Sequence, residues 1–282
     1  MIDPRRQRGG LLEQVLGPLA APRIAVVAAH PGDETIGAGG QLLRYDDVHI
    51  LHVTDGAPRD PLLWSADAYG GTRDRYARLR AQEAEDALAL AGIPATRISC
   101  LRVVDQEAAL QLPVLAWTLM QYFDELRPEV VLLQPYEGGH PDHDAAAFAV
   151  HAACQLLAAH GAWTPALVEM SAYHGPHGQF ACGDFLPGEH VVATVPLSDD
   201  AIARKREMLA CFGSQRHGLS QFPVGAERFR MAPRYDFTRP PHRGQLYYET
   251  LGWPMTGERF RQLVREAAED LSLEMAGAAA AP

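Results

Sequence analysis

The sequence predicts an α/β fold: a mostly parallel, doubly wound sheet with helices on both faces. Three observations predict it. Short runs rich in β-branched residues alternate with longer stretches whose apolar residues recur at helical spacing, as crossover connections between parallel strands require. The first run, RIAVVAA (23–29), is apolar almost throughout, as a strand covered on both faces must be. The chain has 282 residues, 47% hydrophobic and 21% charged, enough to bury one large core without staples.

Taken in order, LLEQVLGPL (11–19) is expected as a short helix before strand 23–29. GAGGQLLRY (37–45) then starts a helix, its glycines allowing close backbone approach. VHILHVTDG (48–56) is a strand ending in a turn, and APRDPLLWSADAYGG (57–71) is a long loop of the kind that usually carries function. TRDRYARLRAQEAEDALALAG (72–92) is an Ala-rich helix stopped by Gly92, and its mixed charges read as a solvated face with ion pairs. ISCLRVV (98–104) and EVVLLQPY (129–136) are strands separated by the helix PVLAWTLMQYFDEL (113–126). HDAAAFAVHAACQLLAAHG (143–161) is a helix, ALVEMSAY (166–173) and HVVATVPL (190–197) are strands, and SDDAIARKREMLACFG (198–213) is a helix with a Ser/Asp start signal. Residues 215–282 are rich in Pro, Gly and aromatics and read as a pocket-shaping extension, with a frayed end at EMAGAAAAP. A single domain over 1–282, with its core at about 23–230, is the expected organisation.

The net charge of −10 and the absence of any Lys/Arg block exclude a nucleic-acid partner, because such binding rests on neutralising phosphates. Four scattered cysteines read as thiols of a reducing compartment. Neither a signal-peptide run nor a stretch of about 18 apolar residues is found, so the expectation is a cytoplasmic protein without membrane contact. A homo-oligomer is left open.

Two clusters carry the chemistry: HPGDE (30–34) after the first strand and HPDHD (140–144) after strand 129–136. In doubly wound sheets ligands bind beyond the carboxyl ends of strands. Imidazole and carboxylate donors suit zinc or another divalent transition metal, and three protein ligands plus a water is the catalytic pattern. Two His and one carboxylate can converge from the two loops: His30, Asp33 and His143. His140 and Asp142 remain as a pair in which the carboxylate holds the imidazole and raises its basicity. Either loop alone is equally well an ordinary strand-to-helix turn with an acidic cap; their occurrence together favours the metal. GAGGQ has the wrong spacing for a dinucleotide fingerprint. Of the other histidines, His49 and His52 are expected packed or half-exposed on a strand, His151 and His160 facing solvent, and His174 or His177 at the pocket edge. Trp64, Tyr69 and Tyr136 are candidates for a pocket wall, with core or surface placement equally open.

The stretches AAHPGDETIGAGG, TDG after the second strand, RAQEAEDALALAGI (80–93), LLQPYEGGHPDHDAAAF and KREMLACFGSQ (205–215) resemble, in order, the PIG-L/LmbE-like family of zinc-dependent N-deacetylases. The resemblance implies a Rossmann-like fold and a small-molecule N-acyl substrate, often an N-acetylglucosamine conjugate. It further implies removal of an acyl, usually acetyl, group from the amide nitrogen by attack of metal-bound water. By position, the family's metal ligands fall on His30, Asp33 and His143, its transition-state-stabilising histidine on His140, and its orienting carboxylate on Asp142. Two positions depart from the pattern. Gly32 stands where the family has its general-base Asp, and Gly138 where some relatives have a tyrosine.

Zinc alone brings bound water to a pKa of about 7, whereas a general base contributes about 10²–10⁴-fold. Three readings follow. The first is an amide hydrolase in which His140 takes over the missing proton work, with Glu34, Asp144, Glu137 or a carboxylate of the 57–71 loop as further candidates. The second is a metal-retaining pseudoenzyme or binding protein. The third is another metal-assisted reaction on the same scaffold.

Overall fold

The computed structural model describes residues 12, 16, 22–65 and 71–273, the side chain of residue 177 excepted. The expected helix 11–19 beyond Leu12 and Leu16, the candidate Tyr69 and the tail from 274 lie outside the described residues.

The strands are β1 (Ile24–Ala28), β2 (Val48–Pro58), β3 (Ile98–Asp105), β4 (Val130–Leu133), β5 (Ala166–Met170), β6 (Tyr173–His174), β7 (Ala181–Cys182), β8 (Val192–Pro196) and β9 (Ala226–Met231). The helices are α1 (Asp33–Leu42), α2 (Arg73–Leu90), α3 (Leu112–Leu126), α4 (Pro141–Ala159), α5 (Asp199–Cys211), α6 (Arg216–Leu219), α7 (Tyr247–Thr250) and α8 (Gly257–Asp270). Seven strands form the main sheet in the order β3-β2-β1-β4-β5-β9-β8. The first five are parallel, whereas β9 pairs antiparallel with both β5 and β8. The expected mostly parallel, doubly wound sheet is what the chain forms.

Alternate residues of β1 serve opposite faces. Ala25 and Val27 enter a core with α3, α4 and α8, while Ile24 and Val26 enter a second core with Ala38 and Leu42 of α1 and Leu88 of α2. All four are fully buried; full burial of a Val or Ile side chain contributes about 1.5–3 kcal/mol. The chain runs from β1 outward to β2 and β3, then returns to place β4 on the other side of β1. The crevice between β1 and β4 is therefore the topological switch point, where such sheets bind ligands.

Three boundaries differ from expectation. α1 starts at Asp33 rather than at the glycines, because Gly32 turns the chain at φ 110° and Asp33 and Glu34 suit the positive end of a helix. α4 starts at Pro141, which removes one amide that no helix could satisfy, and His140 is its N-cap. The extension after 215, for which no element was expected, supplies β9 and α8. Phe260, Val264 and Ala267 of α8, and Leu271 just after it, lie in the core shared with α3 and α4. No helix among the described residues is long and apolar enough to cross a membrane. The four cysteines are free thiols.

Candidate metal centre

The loop after β1 is held from three sides. Gln134, just past β4, accepts the Ala29 N–H at 2.7 Å, tying the two central strand ends together. Buried Arg80 of α2 donates to the Pro31 carbonyl at 2.7 Å and the Gly56 carbonyl at 2.9 Å. The expectation of a wholly solvated face on α2 is thereby corrected: Arg80 and Glu83 are buried, and Glu83 accepts from Ser214 N–H at 2.7 Å. Glu34 accepts the Gly32 N–H at 2.9 Å and lies 3.0 Å from His52 Nε2, so its carboxylate braces the loop from behind.

On this frame His30, Asp33 and His143 come together. Asp33 Oδ2 lies 3.0 Å from His30 Nδ1 and 3.4 Å from His143 Nε2. The ligand atoms of the three residues fall within 4.8 Å of one another, as a shared ion requires. His143 Nε2 is buried without a hydrogen-bond partner. A buried ring nitrogen beside a carboxylate, with no hydrogen bond of its own, fits a zinc ligand.

The other nitrogen of His30 faces carboxylates. Nε2 is 3.2 Å from Asp142 Oδ2 and 3.2 Å from Asp105 Oδ1. Asp142 is fully buried and also accepts the N–H groups of Gln106 at 2.6 Å and Ala108 at 3.0 Å, which fixes it against the end of β3. That is the carboxylate-behind-histidine arrangement that sets ligand orientation in metal sites. The Asp142 carboxylate is 4.0 Å from His140 Nδ1. His140 Nδ1 instead accepts the Asp142 backbone N–H at 3.1 Å. With Nδ1 so occupied, the hydrogen-bond pattern assigns the proton of the neutral ring to Nε2, a donor.

Electrostatics follow from burial and charge. Burial lowers His30, but Asp105 and the hydrogen bonds of Asp105, Asp142 and Asp33 outweigh it and hold the imidazole well above its usual range. Burial raises Asp33, yet His143 and His30 pull it well below. His140 is held well below the usual histidine range by burial and by the neighbouring His30 charge, so it is neutral. Burial pushes Asp142 up despite its partners.

The centre opens onto a cavity of about 330 Å³. His30, Asp33, Asp105 and His140 line its floor, and Tyr173, Phe180, Phe222, Tyr247 and Trp253 its walls. Trp253 meets His140 edge-on with ring centroids 4.7 Å apart. None of the aromatics singled out from sequence and described lines it. Tyr136 is buried, donates to the Arg239 carbonyl at 2.9 Å and packs on Phe237; Trp64 stacks on Tyr76 at 5.5 Å. His174 is buried 3.3 Å from Asp184, away from the cavity lining. His52 is packed as expected and His160 exposed, but His151 does not face solvent: its Nε2 is buried and its ring packs on Tyr235 and Phe237.

Gly32 departs from φ values open to other residues, and a Cβ there would stand 3.2 Å from the Phe212 ring. Of the carboxylates considered as substitutes, Glu34 is turned to His52, Asp144 accepts the Gly138 N–H at 3.0 Å, and Glu137 lies with Arg230 at 3.0 Å. Asp105 was missed. As a lone acid closing β3 it carries no spacing signal, and only its place at a strand's carboxyl end marks it.

Comparison with known proteins adds four likenesses. Residues 25–154 match the model of the family described as PIG-L: GlcNAc-PI de-N-acetylase. A curated relative from Catenulispora acidiphila, 1D-myo-inositol 2-acetamido-2-deoxy-alpha-D-glucopyranoside deacetylase 1, is 27% identical over 91% of this chain and 88% of its own. Among solved structures, the zinc-inhibited form of teicoplanin deacetylase aligns with TM-score 0.53 at 16% identity, covering 74% of this chain and 97% of that one. The 4-carboxy-2-hydroxymuconate hydratase of Pseudomonas putida also aligns with TM-score 0.53, at 17% identity over 75% of this chain and 97% of that one. The resemblance to the PIG-L/LmbE-like family is borne out: residues 25–154 carry the family's pattern on an LmbE-like fold.

Proposed function

We propose that the chain is a zinc-dependent hydrolase that removes an acetyl group from the amide nitrogen of an N-acetylglucosamine-type substrate. The observation that carries the reading is the convergence of His30 and Asp33, on the cavity floor, with His143 buried beside them and its Nε2 lacking any other partner. The curated relative, named for deacetylating a 2-acetamido-2-deoxyglucoside, supports the substrate class. His30 Nδ1, an Asp33 oxygen and His143 Nε2 would hold the ion. When bound, zinc polarises the amide carbonyl and lowers the pKa of water to about 7.

The chain's own groups do the rest. Asp142 and Asp105 orient the His30 ring from its Nε2 side. Neutral His140 presents Nε2–H to the cavity, placed to donate to the carbonyl oxygen as charge develops there. With Gly32 lacking a side chain, Asp105 is the remaining carboxylate on the described cavity floor; burial raises it, but His30 outweighs this and holds it ionised, and it would accept the proton of water and return it to the leaving nitrogen.

A binding protein without turnover is the second reading, favoured by Phe212 filling the space beside Gly32. Amine release from N-acetylglucosamine and its glycosides, with and without chelator, decides between them. Release that chelation abolishes and zinc restores is expected. A protein that binds zinc but releases no amine from any of these supports the second reading.

A further inference from the structure

The cavity's two ends differ in chemistry. Every ionisable group in its lining whose charge matters at neutral pH belongs to the floor: His30, Asp33, Asp105, His140 and Arg80. Arg80 is committed, donating to the Pro31 and Gly56 carbonyls from a buried position. Among the described residues, the walls hold no Lys, Arg, Asp or Glu. Among the described lining residues, no side chain is therefore free to neutralise a phosphate or carboxylate on the substrate.

The walls are aromatic instead. Phe180 stands 5.5 Å from Tyr173, 5.5 Å from Tyr247 and 6.0 Å from Phe222 between ring centroids, a continuous cluster in the cavity lining. Phe180, Phe222, Tyr247 and Trp253 are only half-buried, so each keeps apolar surface for a ligand to cover. The amides are partly spoken for: Gln215 donates to Tyr76 Oη at 2.8 Å and to the Ser214 carbonyl at 3.0 Å. All of these wall aromatics come from beyond residue 154, outside the family-matched segment.

We propose that the cavity selects N-acylated amino sugars bearing an uncharged, apolar group of aromatic size beside the amide, and discriminates against phosphorylated or carboxylated ones. This rests on the hydrolase reading for turnover, but the selectivity itself is a property of binding. The apolar group can be an aglycone or the acyl chain, and substrates separate the two: phenyl N-acetyl-β-glucosaminide carries it on the first, N-phenylacetylglucosamine on the second.

The test has a binding arm and a turnover arm. Binding is followed by Trp fluorescence, Trp253 being in the wall, in chelator-treated protein with phenyl β-glucoside, myo-inositol glucoside and glucose 1-phosphate. The phenyl ligand is expected to bind at least roughly tenfold tighter than either of the others, with Phe222→Leu and Tyr247→Leu each reducing that advantage several-fold. Both variants are to be checked for an unchanged melting curve. In turnover, kcat/KM should rank one of the two aromatic substrates above N-acetylglucosamine and its 1-phosphate. Equal or tighter binding of the phosphate or polyol ligand overturns the proposal, as does a preference that both variants leave intact. Selective binding with no amine released sinks the hydrolase reading and leaves this one standing.

Discussion

Restoring a carboxylate at position 32 is the most informative single perturbation. Gly32 sits at φ 110°, ψ −23°, as the N-cap of α1. A side chain there pays backbone strain of about 1–3 kcal/mol. The Cβ would also stand 3.2 Å from Phe212 Cε1 and 3.5 Å from Cδ1, so the ring must yield by a few tenths of an ångström. Phe212 is almost fully buried at 1% exposure among Ala84, Ala87 and Met208, and has little room to yield. Gly32→Asp is therefore expected to lower unfolding free energy by about 2–3 kcal/mol, mostly from the backbone. Gly32→Ala should show nearly the same loss, since the strain belongs to any Cβ, and adding Phe212→Leu should not recover it. Urea denaturation measures the loss, and amine release from an N-acetylglucosaminide measures the rate. No rate gain is expected from Gly32→Asp. A variant as stable as the parent and tenfold faster would refute both the strain argument and the assignment of proton transfer to Asp105.

Two further outcomes follow from buried groups. Asp142→Asn removes the charge behind His30 while keeping one acceptor oxygen, and should weaken zinc binding about 10–100-fold in chelator competition; unchanged affinity would remove Asp142 from the centre. Burial drives His151 down to about 4, from an ordinary value of 6.5, so the folded state prefers the neutral ring. The stability that this neutral burial preserves is present above pH 6.5 and is lost as pH falls toward 4, with up to about 2 kcal/mol gone by pH 5. His151→Leu should flatten that part of the urea-derived stability–pH curve, and an equally steep variant would contradict the assignment.

Much of this was legible in the sequence for a physical reason. β1, β2 and β4 are covered on both faces, so their apolar runs survive as a plain signal, and the two His-Pro loops mark the strand ends that meet at the switch point. The failures have reasons as well. β9, AERFRM, hides its strand character because its buried residues include charges: Glu227 pairs with Lys205 at 2.6 Å and Arg230 with Glu169 at 2.6 Å. Hydropathy cannot see charges that partners neutralise. α8 did carry a readable pattern, with Phe260, Val264, Ala267 and Leu271 on one stripe behind a Thr256 cap, but it is embedded in Pro- and Gly-rich text. Asp105 and Arg80 reach the site only through tertiary packing, and the aromatic walls come from segments with no periodicity to place them.

The central claim is that a single divalent cation is shared by residues from the two loops. A crystal of zinc-loaded protein measured at the zinc absorption edge tests it directly. The account predicts one strong anomalous peak about 2.0–2.2 Å from His30 Nδ1, an Asp33 oxygen and His143 Nε2. A peak ligated elsewhere, with His143 Nε2 still lacking a partner, would contradict it.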